Sequence, residues 1–188
     1  MSTTAFDAAV LALSPAGYWK LSEACGSSTP DASGNARHGT WSGTPGYGTT
    51  GLIPIDETAT CVHFSGDDIS TLPTDAALAP TSACTILLFM KRSATAAYEM
   101  MATFMDATTA KGYEVRIDAR NSKILFTATR EAGTYHQTPS PTVVDDGSVY
   151  MVVCRYVAAT RMTVSINGTT EKTDTTGIPT LGSYTVVP

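Results

Sequence analysis

The sequence predicts an all-β protein, an antiparallel two-sheet β-sandwich preceded by a short N-terminal helix. Three observations favour this fold class. Short apolar or alternating segments recur about every 8–12 residues, clusters of turn-forming residues separate them, and no long amphipathic helical pattern lies between them. Parallel α/β architectures require such helices, so they are excluded.

The first element is a helix that Thr3 and Thr4 can cap and that Pro15 ends. We assign residues 1–16 to an N-terminal arm that contains this helix, and residues 17–188 to one β domain. Residues 17–22 alternate apolar and polar side chains, which predicts a strand. Residues 26–51 are so rich in Gly, Ser, Thr and Pro that we expect mostly loop, with one short strand near residues 38–41.

The clearest strand patterns follow that loop. They cover residues 60–65, 85–91, 98–105, 112–119, 123–130, 149–157 and 162–167. Period-two alternation in residues 112–119 predicts one buried face, with Tyr113, Val115, Ile117 and Ala119, and one wet face, with Glu114, Arg116 and Asp118. Residues 149–156 are almost continuously apolar, so we expect a central strand that is covered on both sides.

Composition excludes two classes of partner. The 188 residues carry 17 acidic and 12 basic side chains, a net charge of -5, and the Lys and Arg residues are scattered. A nucleic-acid-binding surface needs clustered positive charge, so we expect no nucleic-acid partner. No apolar run approaches the roughly 20 residues that span a bilayer, so we expect no membrane partner. Only 15% of the residues are charged, and 31 threonines supply much of the polarity.

The four cysteines are widely spaced, with no C-x-x-C pair, and the chain has only three histidines, so the pattern fits no zinc site. Cys61, Cys84 and Cys154 lie among apolar or β-forming neighbours and are expected to be buried thiols. Cys25 lies in a Gly/Ser-rich stretch and is the candidate for a disulfide between subunits or strands.

Three segments together resemble a known family. Residues 14–23 read SPAGYWKLSE, residues 31–35 read DASGN, and residues 62–66 read VHFSG. In this order and spacing they resemble the opening of a laminin-G-like, concanavalin A-like lectin domain, a jelly-roll sandwich of the kind found in bacteriophage virion proteins. Such domains usually close with a further strand that this chain does not match, so we expect the final strand to be missing or supplied by a neighbouring subunit.

The DASGN segment has two interpretations. Asp31, Ser33 and Asn35 bond readily to their own backbone and Gly34 tolerates a positive φ, which predicts a tight turn. Asp31 and Asn35 could instead supply oxygen ligands to calcium, as the resemblance to lectin-like folds implies. We expect no other cofactor. Asp67 and Asp68 form a second oxygen-rich segment, for which a hairpin turn is the favoured interpretation.

Trp41 and Tyr47 lie in the polar loop region and are the candidates for stacking on a saccharide ring.

Hydrolysis of glycosidic bonds is disfavoured. Glycosidases of the wider superfamily use paired carboxylates on one strand face, whereas here Arg116 separates Glu114 from Asp118, a pattern that favours an ion-paired surface. The sequence therefore predicts that the chain is not an enzyme.

The resemblance and the first residues together suggest a function. Residues 1–15 contain Asp7 as their only charged side chain and do not resemble an export signal. We therefore expect a structural, decoration or tail component of a bacteriophage virion, made in the host cytoplasm, that assembles with other virion subunits, forms homo-oligomers and can bind cell-surface glycans. The first alternative is a carbohydrate-binding or adhesion module of a larger secreted, extracellular protein. A glycoside hydrolase is a second, weaker alternative.

Overall fold

The computed structural model describes residues 5–53, 60–92, 99–131, 134–145 and 147–186. The chain divides into two compact units, residues 1–78 and residues 79–187. Within the described ranges, no helix is long and apolar enough to cross a membrane. The domain boundary predicted after residue 16 stays a prediction.

Among its described residues, the first unit has one α-helix, five short strands and one 3-10 turn. They are α1 (Ala5–Leu11), β1 (Ser28–Thr29), β2 (Gly39–Ser42), β3 (Gly46–Thr50), β4 (Thr60–His63), β5 (Ile69–Thr71) and the 3-10 turn Ala76–Leu78. The strands form two antiparallel sheets, one in the order β1-β2-β5 and one that pairs β3 with β4. The strand expected near residues 38–41 is confirmed as β2, but β1 and β3 lie where the sequence predicts loop.

The short helix is confirmed, and a buried aspartate fixes it to the following segment. Asp7 accepts a hydrogen bond from the Tyr18 hydroxyl at 2.7 Å and forms an ion pair with Lys20 Nζ at 2.7 Å. The capping residues predicted for this helix, Thr3 and Thr4, lie outside the described residues. The strand predicted over residues 17–22 is not formed. The one β-bridge in this described segment pairs Trp19 with Asp31.

The second unit is a two-sheet antiparallel sandwich, which confirms the predicted fold class. Its strands are β6 (Ala83–Lys91), β7 (Glu99–Met105), β8 (Gly112–Asp118), β9 (Lys123–Glu131), β10 (Thr134–Val143), β11 (Val149–Val157), β12 (Arg161–Ile166) and β13 (Thr169–Asp174). One sheet has the order β10-β9-β8-β7 and the other β13-β12-β11-β6. Residues 175–186 contain no strand.

Alternating side chains from the two sheets form the core of this unit. From the first sheet come Val115, Ile117, Ile124 and Phe126, and from the second Val152, Cys154, Tyr156, Met162 and Val164, all of them fully or almost fully buried.

The prediction of a solvent-exposed face for β8 is only partly correct. Glu114, on that opposite face, is only 8% exposed, because the neighbouring side chains of Thr127 and Arg116 crowd it.

β11 is a central strand, as predicted, because it pairs with both β12 and β6. The prediction that both of its faces are covered is wrong. Its inward residues are buried, whereas Val149 and Arg155 on the opposite face are exposed and Met151 and Val153 are half-buried. The apolar residues on the outer face of β11 are therefore partly exposed to solvent.

The strands that the sequence does not predict in the second unit are edge strands. β10 contains Pro139 and Pro141, which argue against a strand because proline cannot donate a ladder hydrogen bond. β10 lies at the edge of its sheet, and its register shifts between Pro139 and Val143, so the prolines are tolerated there. β13, with the sequence TTEKTD, is the edge of the other sheet and has no apolar pattern.

Gly112 begins β8 at a position where no side chain fits. Its φ is +132°, and an added Cβ would overlap the carbonyl oxygen of Phe104 on the paired strand. We expect Gly112→Ala to lower the free energy of unfolding by about 3 kcal/mol, because it adds a backbone clash to the conformational strain.

Gly168→Ala is the matched control, since Gly168 also has a positive φ but an added Cβ meets nothing within 4 Å. We expect it to cost only about 1 kcal/mol. Urea unfolding of both variants tests the difference, and equal costs would show that the contact with Phe104 has no effect.

Candidate ligand-binding site

The carboxylate of Asp31 is the centre of a hydrogen-bond network in the first unit. It accepts bonds from the backbone N–H of Tyr18 at 2.9 Å, Ser33 at 2.9 Å and Arg37 at 3.0 Å, and from the Ser33 hydroxyl at 2.8 Å. Burial acts to raise the pKa of Asp31, but these bonds outweigh it, so its pKa lies below the ordinary value. The tight turn predicted from DASGN is confirmed.

Asn35 extends the same network. Its side-chain amide donates to the carbonyl oxygens of Pro15 and Ala16, both at 3.1 Å. The described residues contain no group of three or more His, Cys, Asp or Glu side chains that could hold a metal ion. The contacts of Asp31 and Asn35 favour the turn, and calcium binding by this pair stays a prediction.

Trp41, Tyr47 and Phe64, which we call the aromatic cluster, come together from three short segments. Trp41 lies in β2, where its backbone N–H donates to the Ser27 carbonyl at 3.0 Å, Tyr47 lies in β3, and Phe64 directly follows β4. The rings of Trp41 and Tyr47 meet edge-on at 6.3 Å, and those of Trp41 and Phe64 are 5.3 Å apart.

The three rings differ in exposure. Trp41 is only 8% exposed, Tyr47 is half-buried, and Phe64 is 47% exposed. The structure places Trp41 in the predicted short strand and Tyr47 in a strand where the sequence predicts loop, and it buries the indole. Phe64 is therefore the ring that is available to a ligand, with Trp41 packed against it. Ligand binding by Trp41 and Tyr47 stays a prediction.

Asp68 holds the two turns beside the aromatic cluster. Its carboxylate accepts hydrogen bonds from the Thr44 N–H at 2.7 Å and from the Ser65 N–H at 2.8 Å. The bond from Ser65 is the main reason that the pKa of Asp68 is lowered. Gly43 lies so close that an added Cβ would overlap Asp68 Oδ1. A turn at Asp67 and Asp68 is confirmed, but it is not the predicted hairpin, because β4 pairs with β3 and β5 pairs with β2. The turn begins directly after Phe64.

Acidic groups surround Tyr47. Its hydroxyl donates to the Gly26 carbonyl at 2.6 Å. Partial burial raises the pKa of Tyr47, and the charges of Glu23, Cys25 and Asp68 raise it further. Burial also raises the pKa of the half-buried Glu23. The site therefore combines one open ring with carboxylates, an arrangement suited to polar ligands rather than to anions.

All four cysteines are free. Cys25 is exposed, and a disulfide from it to another subunit stays a prediction. Cys154 is buried, as predicted, whereas Cys61 and Cys84, also expected to be buried, are half-buried. Partial burial still raises the pKa of the Cys84 thiol to about 12, which makes it unreactive.

The carboxylates of β8 are not arranged as an acid/base pair. Arg116 Nη1 lies 3.2 Å from Glu114 Oε1, and Asp118 lies 3.8 Å from Arg120 Nε. The ion pairing predicted for this face is confirmed, but Glu114 is buried rather than exposed.

The hydrogen bonds of Asp31 yield a prediction about pH. A carboxylate whose pKa is lowered on folding stabilises the protein above its unfolded pKa, about 3.9, and loses that contribution as the pH falls through the folded pKa. We expect Asp31→Asn to lower the free energy of unfolding by about 2 kcal/mol at pH 7. Urea unfolding should show a smaller difference from wild type below pH 3.9.

The exposed Asp145 provides the control variant, Asp145→Asn, which should be neutral at both pH values. A deficit of Asp31→Asn that is independent of pH would contradict this account.

Solved structures with similar folds include binding domains of botulinum neurotoxins. The structure named HCR/D-Sa-GBL1/C is 14% identical, with a TM-score of 0.62, over 88% of this chain and 40% of the other. The binding domain of botulinum neurotoxin DC, in complex with rat synaptotagmin II, is 16% identical, with a TM-score of 0.56, over 83% and 40%.

A third structure concerns botulinum neurotoxin type C, whose cell entry is dependent upon interaction with two ganglioside molecules. It is 14% identical, with a TM-score of 0.56, over 83% of this chain and 39% of the other. This chain thus spans about two fifths of the length of these three chains, and at these identities the likeness shows the fold alone.

No protein with a curated description matches the sequence. One family model does match, over residues 64–186, which is more than half of the chain. Its name is Laminin_G_3 and its description is "Concanavalin A-like lectin/glucanases superfamily". The match includes Phe64 and the whole two-sheet sandwich. The chain therefore belongs to the Laminin_G_3 family of concanavalin A-like lectins and glucanases.

Proposed function

We propose that this chain is a non-enzymatic recognition module that binds glycans at the aromatic cluster. One observation carries the proposal: the Phe64 ring is 47% exposed while Trp41 packs against it at 5.3 Å. An aromatic ring that is supported from behind offers a rigid apolar face, and nearby carboxylates can accept hydrogen bonds from hydroxyl groups.

The family supports this proposal, because its members include lectins. The structures with similar folds add weaker support, since one concerns a neurotoxin whose cell entry depends on two ganglioside molecules and another is a complex with rat synaptotagmin II. Those are properties of longer proteins, and we transfer to this chain only the general idea that such a fold can present a recognition surface. Glycan binding suits both a virion component and a module of a larger secreted protein.

The family also includes glucanases, so the hydrolase alternative must be weighed. Hydrolysis of a glycosidic bond normally needs two carboxyl groups that face the substrate, one of them protonated. Here Arg116 engages Glu114 at 3.2 Å, and Arg116 stands between Glu114 and Asp118 on the strand. This arrangement favours a binding module over an enzyme.

Phe64→Ala tests the proposal directly. We expect it to weaken glycan binding about tenfold, because it removes the exposed ring without touching the sandwich core. Tyr135→Ala is the matched control, since Tyr135 is an aromatic side chain of the second unit that is 58% exposed. Affinities are measured on a printed array of neutral and acidic oligosaccharides, followed by calorimetry with the best binder.

Glycan binding that is lost in Tyr135→Ala and kept in Phe64→Ala would move the site to the second unit and contradict the proposal. A wild-type chain that binds no glycan on the array would overturn it.

We propose virion assembly as a second candidate function, because one apolar surface favours a protein partner. On the outer face of the β13-β12-β11-β6 sheet, Leu87 is 41% exposed and pairs with the half-buried Val153, and Val149 is 36% exposed. Exposed apolar patches of this kind often mark protein interfaces. The occupant that we propose is a second copy of this chain, within a homo-oligomer on a virion.

Sedimentation equilibrium tests this assembly role. The wild-type chain should self-associate, and Leu87→Lys should dissociate it at least tenfold more readily because it buries a charge in the contact. Thr85→Lys, on the same strand face at an exposed position, should have little effect. A wild-type chain that stays monomeric at concentrations of about 100 μM, far above a typical Kd, would contradict self-association.

A further inference from the structure

Two buried polar atoms in the first unit have no hydrogen-bond partner among the residues that the structure describes. They are Nε1 of Trp41 and Oε2 of Glu23. The other indole of the protein provides a contrast, because Trp19 Nε1 donates to the Arg37 carbonyl at 2.8 Å. Buried polar groups are nearly always paired, so two unpaired atoms in one neighbourhood require an explanation.

Both atoms belong to segments that contact Tyr47. The Trp41 ring meets the Tyr47 ring edge-on at 6.3 Å. Glu23 lies three residues before Gly26, whose carbonyl accepts a hydrogen bond from the Tyr47 hydroxyl at 2.6 Å, and its charge adds to the raised pKa of Tyr47. The exposed Phe64 ring lies against the same indole. One donor, one acceptor and one open apolar ring are thus grouped around Tyr47.

The chemistry of these atoms restricts the ligand. An indole N–H can only donate, and an ionised carboxylate can only accept. A hydroxyl group does both, so a polyhydroxylated ligand satisfies the two atoms together. A saccharide ring also has apolar C–H faces, which can pack on the side chain of Phe64.

Charge restricts the ligand further. Residues 1–78 contain eight acidic side chains, Asp7, Glu23, Asp31, Asp56, Glu57, Asp67, Asp68 and Asp75, and two basic ones, Lys20 and Arg37. Both basic side chains are engaged in ion pairs, Lys20 with Asp7 and Arg37 with Asp75, each at 2.7 Å. The first unit therefore repels anionic sugars such as sialic or uronic acids.

We infer that the site selects neutral saccharides, with Glu23 accepting a hydrogen bond from a sugar hydroxyl, Trp41 donating one through Nε1, and Phe64 packing on the ring. The inference rests on the proposed glycan binding and adds the ligand class and the two polar contacts. Glu23 and Trp41 are then the residues that determine specificity.

The experiment uses the full chain and an array that carries neutral oligosaccharides beside the same oligosaccharides capped with sialic acid. The wild type should bind neutral glycans more tightly than their sialylated forms. Glu23→Gln and Trp41→Phe should each weaken neutral binding about tenfold, because Glu23→Gln replaces a charged acceptor with a weaker neutral one and Trp41→Phe removes the donor, while both keep most of the side-chain volume.

Two variants serve as matched controls. Glu131→Gln changes an exposed glutamate of the second unit, and Trp19→Phe removes the indole that is already paired. Both should bind neutral glycans like the wild type. Thermal unfolding of every variant identifies any loss of binding that comes from unfolding, and Glu23→Gln decides the result if Trp41→Phe does not fold.

The possible failures are distinguishable. Neutral binding that depends on Phe64 but survives both Glu23→Gln and Trp41→Phe would overturn this inference and leave the proposed function standing. Tighter binding of the sialylated forms would overturn the selection of neutral ligands. If the wild type binds no glycan, the proposed function and this inference fall together.

Discussion

The carboxylate of Asp31 accepts four hydrogen bonds, and the one from the Tyr18 N–H joins two segments, the one that contains Tyr18 and the turn that ends at Arg37. The bonds from Trp19 Nε1 to the Arg37 carbonyl and from Asn35 to the Pro15 carbonyl reinforce the same junction. One segment continues from Tyr18 towards Glu23, and the other continues from Arg37 into β2, where Trp41 lies. Hydrogen bonds to a charged acceptor are stronger than those between neutral groups, so a single buried carboxylate can fix both segments. The positions of Glu23 and Trp41, and hence the site that we propose, depend on this interaction.

The second unit follows a different constraint. Its eight strands alternate side chains with period two, and the inward set from both sheets closes into a core that excludes water. The outward-facing side chains do not contribute to this core, so the two outer faces can carry different residues. One outward face carries the Glu114–Arg116 ion pair, and the other displays Leu87 and Val153. The sandwich is thus a scaffold, and its outer surfaces are where assembly contacts would form.

Among the described strands of the second unit, the sequence predicts every central strand, and the two that it misses, β10 and β13, are edge strands. β8, β9 and β11 must bury one face between two neighbours, so their apolar pattern is strong, whereas β10 and β13 need only one partner and tolerate prolines or polar residues. The site shows the same division. The DASGN turn is predictable because its bonds are local, but the exposure of Phe64 and the burial of Trp41 depend on how β2, β3 and β4 come together, which no local pattern records.

The central claim is that a neutral saccharide binds beside the unpaired indole N–H of Trp41. A nitrogen–proton correlation spectrum tests it directly, because the chain has two tryptophans and therefore two indole signals. Titration with a neutral oligosaccharide should move the Trp41 signal downfield as its N–H gains an acceptor, while the Trp19 signal, already bonded to the Arg37 carbonyl, should stay in place. Saturable glycan binding that leaves the Trp41 signal unchanged would contradict the account.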